Sequence, residues 1–198
     1  MSQAGYEHLL QQKIIPDLEK GRPNWDGPHT LAVVDFMKQI IENSPELKLD
    51  KDVLVIAAYA HDWGYGKTDI DRWSLNLDEI HKVKTAHMKI GATQLAELLR
   101  DPVFSFLTDV QKKRAVHLVA IHDQLDNIHD VDEHIIVEAD TLGALDVTKV
   151  KPTFDEANSE RYLKSTNERR LPLFITKFGK QKYQQLFIKH QQYYQKKF

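Results

Sequence analysis

Apolar positions recur at helical spacing along most of this chain. Between residues 29 and 42 the pairs Val33/Val34, Phe36/Met37 and Ile40/Ile41 return every three to four residues, which defines one face of an amphipathic helix. Pro28 stands where a first helical turn tolerates proline. Residues 53–60, VLVIAAYA, are apolar without a break. By length this run suits a buried strand, but its alanines, and Asp50 and Asp52 at its start, predict a buried helix. Further helices are predicted over 79–100, 110–122 and 132–147. A last one, over 182–194, puts Tyr183, Leu186, Phe187, His190 and Tyr194 on one face. A helix over 4–19 contains Pro16 and is expected to be kinked or short. Residues 153–170 are polar and read as a loop or a lid. Strand signals are weak and no internal repeat is visible. The pattern predicts an all-α, single-domain helical bundle.

Composition narrows the picture. The chain has 198 residues, 41% hydrophobic and 28% charged, enough for one well-buried core. A net charge of -2 with mixed signs gives no basic footprint for nucleic acid. There is no cysteine, so disulfides and thiolate metal sites are excluded. The start, MSQAGYEHLLQQ, lacks a signal-peptide pattern, and no apolar run approaches about 20 residues. A cytoplasmic protein without a membrane partner is expected. The 10 histidines are the one unusual number.

Six polar groups fall on apolar faces. His29 shares its face with Ala32, Val33 and Phe36, and His61 with Leu54, Ala57 and Ala58. Asp62 joins Val55, Ala58 and Tyr59; His122 joins Ala115, Leu118 and Val119. His87 has Ile90 and Gly91 one turn on, and Asp140 is flanked by Ile136, Gly143 and Ala144. Taken singly, each reads as a hydrogen-bonded core histidine or a capping aspartate. Taken together, two buried carboxylates need positive charge, and the apolar stretches carrying them hold no Lys or Arg. A divalent metal supplies that charge, with imidazoles completing its shell. The backbone can unwind after residue 60, so His61 and Asp62 can both reach one ion.

The ordered set His29, His61-Asp62 and Asp140 resembles the HD-domain superfamily of metal-dependent phosphohydrolases, among its small stand-alone members. The fragments HTLAVVDFM, LVIAAYAHDWGYGK, AHMKIGA, HLVAIHD and VEADTLGALD match that family's elements in order, over residues 25–150. The resemblance implies a helical fold with a central metal site in 25–150, followed by a helical extension over 151–198. It implies a first ion on His29, His61, Asp62 and Asp140, and a second on His87 and His122 with Asp62 bridging. His117 is a weaker candidate. WGYGKT stands where guanosine-tetraphosphate hydrolases carry Glu-Asp, and the Gly-Tyr-Pro signature of cyclic-dinucleotide phosphodiesterases is missing.

With no serine elbow, cysteine or Walker loop, the nucleophile expected is water activated by one or two divalent ions and oriented by Asp62. The donor set admits Mn, Fe, Co, Ni, Zn or Mg. Asp123 and Glu138 are candidate partners for the histidines. Lys67, Arg72 and Lys84 are candidate contacts for a small phosphorylated substrate, a nucleotide among the options. A non-catalytic metal or nucleotide sensor using the same ligands is the alternative, and an iron oxygenase a weaker one. The C-terminal aromatic stripe either packs on the bundle or forms a homodimer face.

Overall fold

The computed structural model describes residues 4–22, 24–68 and 77–195. These form eight α-helices joined by short turns, and no strand occurs among the described residues. Helix α1 (Ala4–Leu18) presents Tyr6, Leu10, Ile14 and Leu18 at four-residue spacing, and all four are buried. The expected kink or shortening at Pro16 does not truncate it. Pro16 lies on the exposed side of the last turn, where the hydrogen bond it removes costs least.

Helix α2 (Asp26–Asn43) begins slightly before its expected start and takes Pro28 into its first turn. Helix α3 (Lys51–Ala60) is the apolar run, and it is a helix rather than a strand. The Asp50 carboxylate accepts the Val53 N–H at 3.2 Å and caps it. Every residue from Val53 to Ala60 is buried, because α1, α2, α4 (Leu77–Leu98), α5 (Asp109–Ile121) and α6 (Val131–Leu145) all pack around this helix. Burial of each large aliphatic side chain stabilises this centre by about 2 kcal/mol.

Two close backbone approaches set the bundle's spacing. A Cβ on Gly143 of α6 would stand 2.6 Å from Cγ2 of Val33 on α2. After α3 the chain tightens into the short turn Trp63–Lys67, against which α4 packs. There a Cβ on Gly64 would stand 1.9 Å from the His87 carbonyl oxygen. Glycine at position 64 therefore lets α4 carry His87 up to the end of α3.

The polar stretch 153–170, expected as a loop or a lid, is helical from Glu156 onward. Helix α7 (Glu156–Ser165) starts where Asp155 accepts the Asn158 N–H at 2.8 Å, and it runs directly into a π-helical turn, Thr166–Arg170. Helix α8 (Lys177–Gln195) lies on α6 and buries Tyr183, Leu186, His190 and Tyr194, so the aromatic stripe packs on the bundle. The Glu138 carboxylate of α6 accepts hydrogen bonds from the Ile175 N–H, from the Thr176 N–H at 2.8 Å and from the Thr176 hydroxyl at 2.6 Å. Glu138 thus anchors the entry to α8 and is no partner of the histidines.

At the start of α6 the Glu133 carboxylate accepts the His129 N–H at 2.8 Å and the Asp130 N–H at 3.3 Å, and it pairs with His117 at 2.7 Å. His117 is thereby accounted for away from the centre of the bundle. Burial pushes the Glu133 carboxyl up, but the hydrogen bonds from His117 and the two backbone N–H groups outweigh it and bring it down to about 2. A carboxylate held below its unfolded value contributes stability above that value and loses it as pH falls through the folded one. Glu133→Gln should cost about 1–2 kcal/mol at pH 6. In urea unfolding the gap to the parent protein should narrow as pH falls from about 4.5 toward 2. Gly64→Ala should cost about 1–3 kcal/mol in the same assay by forcing α4 away from the turn.

Candidate metal centre

Five helices deliver six side chains to one place in the bundle. His29 comes from the first turns of α2, His87 from the middle of α4 and Asp140 from α6. His61 and Asp62 leave the end of α3, and His122 leaves the end of α5. All six are buried.

His61 and His122 are held by the same local device. Each ends its helix, and each turns Nδ1 back to the carbonyl three residues earlier: Ala58 at 2.8 Å and Val119 at 2.9 Å. The Nδ1–H donates there, so in the neutral ring the Nε2 lone pair faces inward. The other two rings are held by stacking. His29 lies on Trp25 with ring centroids 4.6 Å apart, and His87 on Tyr65 at 4.0 Å. The Nδ1 atoms of His29 and His87 are buried without a hydrogen-bond partner, and both rings also point Nε2 inward.

The inward atoms form two groups that share Asp62. Oδ2 of Asp62 is 3.5 Å from His29 Nε2 and 3.4 Å from His61 Nε2, and these two nitrogens are 3.2 Å apart. Oδ1 of Asp62 is 3.4 Å from His87 Nε2 and 3.5 Å from His122 Nε2, and those nitrogens are 3.3 Å apart. Asp140 joins the first group through Oδ1, 3.1 Å from His29 Nε2 and 3.8 Å from His61 Nε2. Ligand atoms bonded to one ion at about 2.0–2.1 Å in tetrahedral geometry stand about 3.3 Å apart, close to the spacing in both groups.

The donor chemistry fits a cation as well as the spacing does. Three carboxylate oxygens and four imidazole Nε2 atoms converge, and in their neutral forms His61 and His122 present lone pairs there. Burial disfavours charge on His61, yet the adjoining Asp62 carboxylate outweighs it and raises the imidazole to about 9. Burial would raise Asp62, but His61 and the hydrogen bonds from His122 and His61 hold it well below the usual carboxylate range. At His87 burial prevails and lowers the ring to about 4. The protein's own charges thus offset the carboxylates with a proton on His61, a place that a divalent cation would fill. Mn, Fe, Co, Ni and Zn all accept such a nitrogen–oxygen set.

Other expected residues fall differently. Lys84 faces the cavity above the centre and pairs with Asp123 at 3.1 Å. Lys67 is exposed near Asp17, away from that cavity, because the turn carrying it packs on α1. Arg72 lies outside the described residues. Asp123 pairs with Lys84 and Arg170, two full charges that take up its carboxylate. The carboxylates are also not left entirely to a metal. Arg170 donates to Oδ2 of Asp140 at 2.7 Å, and Arg22, buried against Asp26, stacks 3.9 Å from the Trp25 ring centroid. No periodic pattern marks either arginine. The adjacent Arg169-Arg170 in a polar stretch is the faint signal available.

The cavity above the centre measures about 390 Å³. It is lined by His29, Asp62 and Asp140 of the centre, by Arg22, Trp25 and Tyr65, and by Tyr162 and Arg170 of α7 and its π-helical turn. Among the described residues no helix is long and apolar enough to cross a membrane.

A family model for the HD domain matches residues 27–148, a segment that contains all six converging side chains. No curated protein and no solved structure gives a significant match. With more than half of its length matched, and with the fold and buried His/Asp cluster described above, the chain belongs to the HD-domain family.

Proposed function

We propose that this protein is a metal-dependent phosphohydrolase that cleaves a small, nucleotide-sized phosphate ester. The observation that carries the reading is Asp62, whose two carboxylate oxygens address two separate histidine pairs and which lines a cavity together with cationic side chains. His29, His61, Asp62 and Asp140 would hold one divalent ion, and Asp62, His87 and His122 a second. When bound, such ions lower the pKa of water toward neutrality and offset charge on a phosphoryl group.

The remaining work belongs to the chain. His61 and His122 keep their Nε2 lone pairs inward because their Nδ1 protons are committed to carbonyls. Asp62 is fixed at the junction of the two groups, where it orients the attacking water. Arg22 is locked by Asp26 through its Nε at 2.9 Å and sits between the rings of Trp25 and Tyr65. Its guanidinium is thereby set, with little rotamer freedom left to lose, to meet a phosphate oxygen entering above His29. Lys84 lies on the same cavity and offers a second cation. Leu77, Ile80 and Phe154 line the upper part and would take the organic portion of the ester away from water. The volume suits one small molecule.

Elemental mass spectrometry on protein prepared without chelator should find about two divalent ions per chain. His87→Ala should leave about one. Metal added to stripped protein should raise the melting temperature, by about 2.7 kcal/mol of added stability at a hundredfold excess over Kd. Asp62→Asn should lower turnover of phosphate esters by about a hundredfold or more while the circular dichroism is retained. An inert parent protein on a broad phosphate-ester panel, loaded with each candidate metal in turn, would favour the sensor alternative.

A further inference from the structure

Arg170 lies beyond the segment matched to the family, yet its guanidinium reaches the centre. One nitrogen donates to Asp140 Oδ2 at 2.7 Å and to the Thr141 hydroxyl at 3.2 Å, and another donates to Oδ1 of Asp123. Asp140 is therefore divided. Oδ2 belongs to Arg170, and Oδ1 alone faces His29 and His61. The side chain is largely buried, and burial works against its charge, but Asp140 and Asp123 outweigh it and keep the guanidinium protonated. It is delivered by the last residue of a π-helical turn, a rare distortion enriched at functional sites.

We propose that Arg170 is a positioning residue for the metal centre, holding Asp140 in a one-oxygen approach to the His29–His61 group. The inference rests on the metal-centre reading above. The planar fork suits two carboxylates at once: Asp140 beside the first group, and Asp123 next in sequence to His122. Lysine offers a point charge and cannot span both with fixed geometry. Two exposed pairs, Arg161 with Asp78 at 2.7 Å and Arg169 with Asp126 at 3.3 Å, also tie α7 and its turn to the bundle. Anchoring of α7 therefore does not depend on Arg170 alone.

The test is titration of stripped, full-length protein with Mn(II), followed by calorimetry and electron paramagnetic resonance, for the parent, Arg170→Lys, Arg170→Met, His29→Ala and Arg161→Ala. Circular dichroism and melting curves establish that each variant is folded, and Arg170→Lys retains the buried cation in case Arg170→Met does not fold. The parent should take up two ions. Arg170→Lys should bind one of them about ten- to a hundredfold more weakly. That ion should be the one that His29→Ala also removes, and at two equivalents the spectrum should shift toward a six-line mononuclear signal. Arg161→Ala should titrate as the parent does. If folded Arg170→Lys titrates like the parent, or weakens both ions equally, Arg170 only anchors α7 and the inference fails while the centre stands. Failure of the parent itself to bind Mn(II) would overturn both.

Discussion

A carboxylate at the inner end of an apolar helix is costly unless positive charge meets it, by several kcal/mol even after relaxation. Asp62 is placed there by α3, whose residues from Val53 to Ala60 are all buried. The surrounding helices are arranged around that demand. α2 and α3 bring imidazoles to one carboxylate oxygen, and α4 and α5 bring them to the other. The glycine at 64, against which the His87 carbonyl rests, is the packing concession that lets α4 come so close. The helix-terminal histidines solve a second problem in the same step. Each ties its Nδ1–H to a carbonyl of its own helix and leaves Nε2 free to act as a base or ligand.

The segment after residue 150 supplies a wall and a charge. α7 and its π-helical turn flank the cavity, and α8 is fastened to α6 through the Glu138 carboxylate. Arg170 ties this wall directly to Asp140 and Asp123. Electrostatics and architecture are thus linked. The cation that tempers the carboxylates belongs to the same element that bounds the space where a phosphate ester would sit.

Much of this was legible in the sequence, and the reasons are local. Helix positions followed from apolar spacing, because one face of each helix must be buried and the period of that face is set by backbone geometry. His29, His61, Asp62, His87, His122 and Asp140 stood out because each is a polar group on such a face, and the structure brings them together. Pro16 does not shorten the first helix, since proline near a helix end removes little. Residues 153–170 did mislead. Their polarity signals exposure, and α7 buries only Ser159 and Leu163, one turn apart, which is too thin an apolar stripe to mark a helix.

The sequence by itself determined the all-helical class, the order of the elements and the identity of the inward polar groups, because each depends on spacing within a few turns of one helix. Tertiary structure alone decided how Asp62 divides its oxygens between two histidine pairs. It also decided that Lys67 faces away from the site, that Asp123 serves cations and Glu138 serves α8, and that Arg170 reaches Asp140. Arg170 stands 30 residues from Asp140 and 47 from Asp123. No periodicity spans such separations. These contacts arise when packed helices fix which side chains share a volume, and a buried charge then selects the nearest partner of opposite sign.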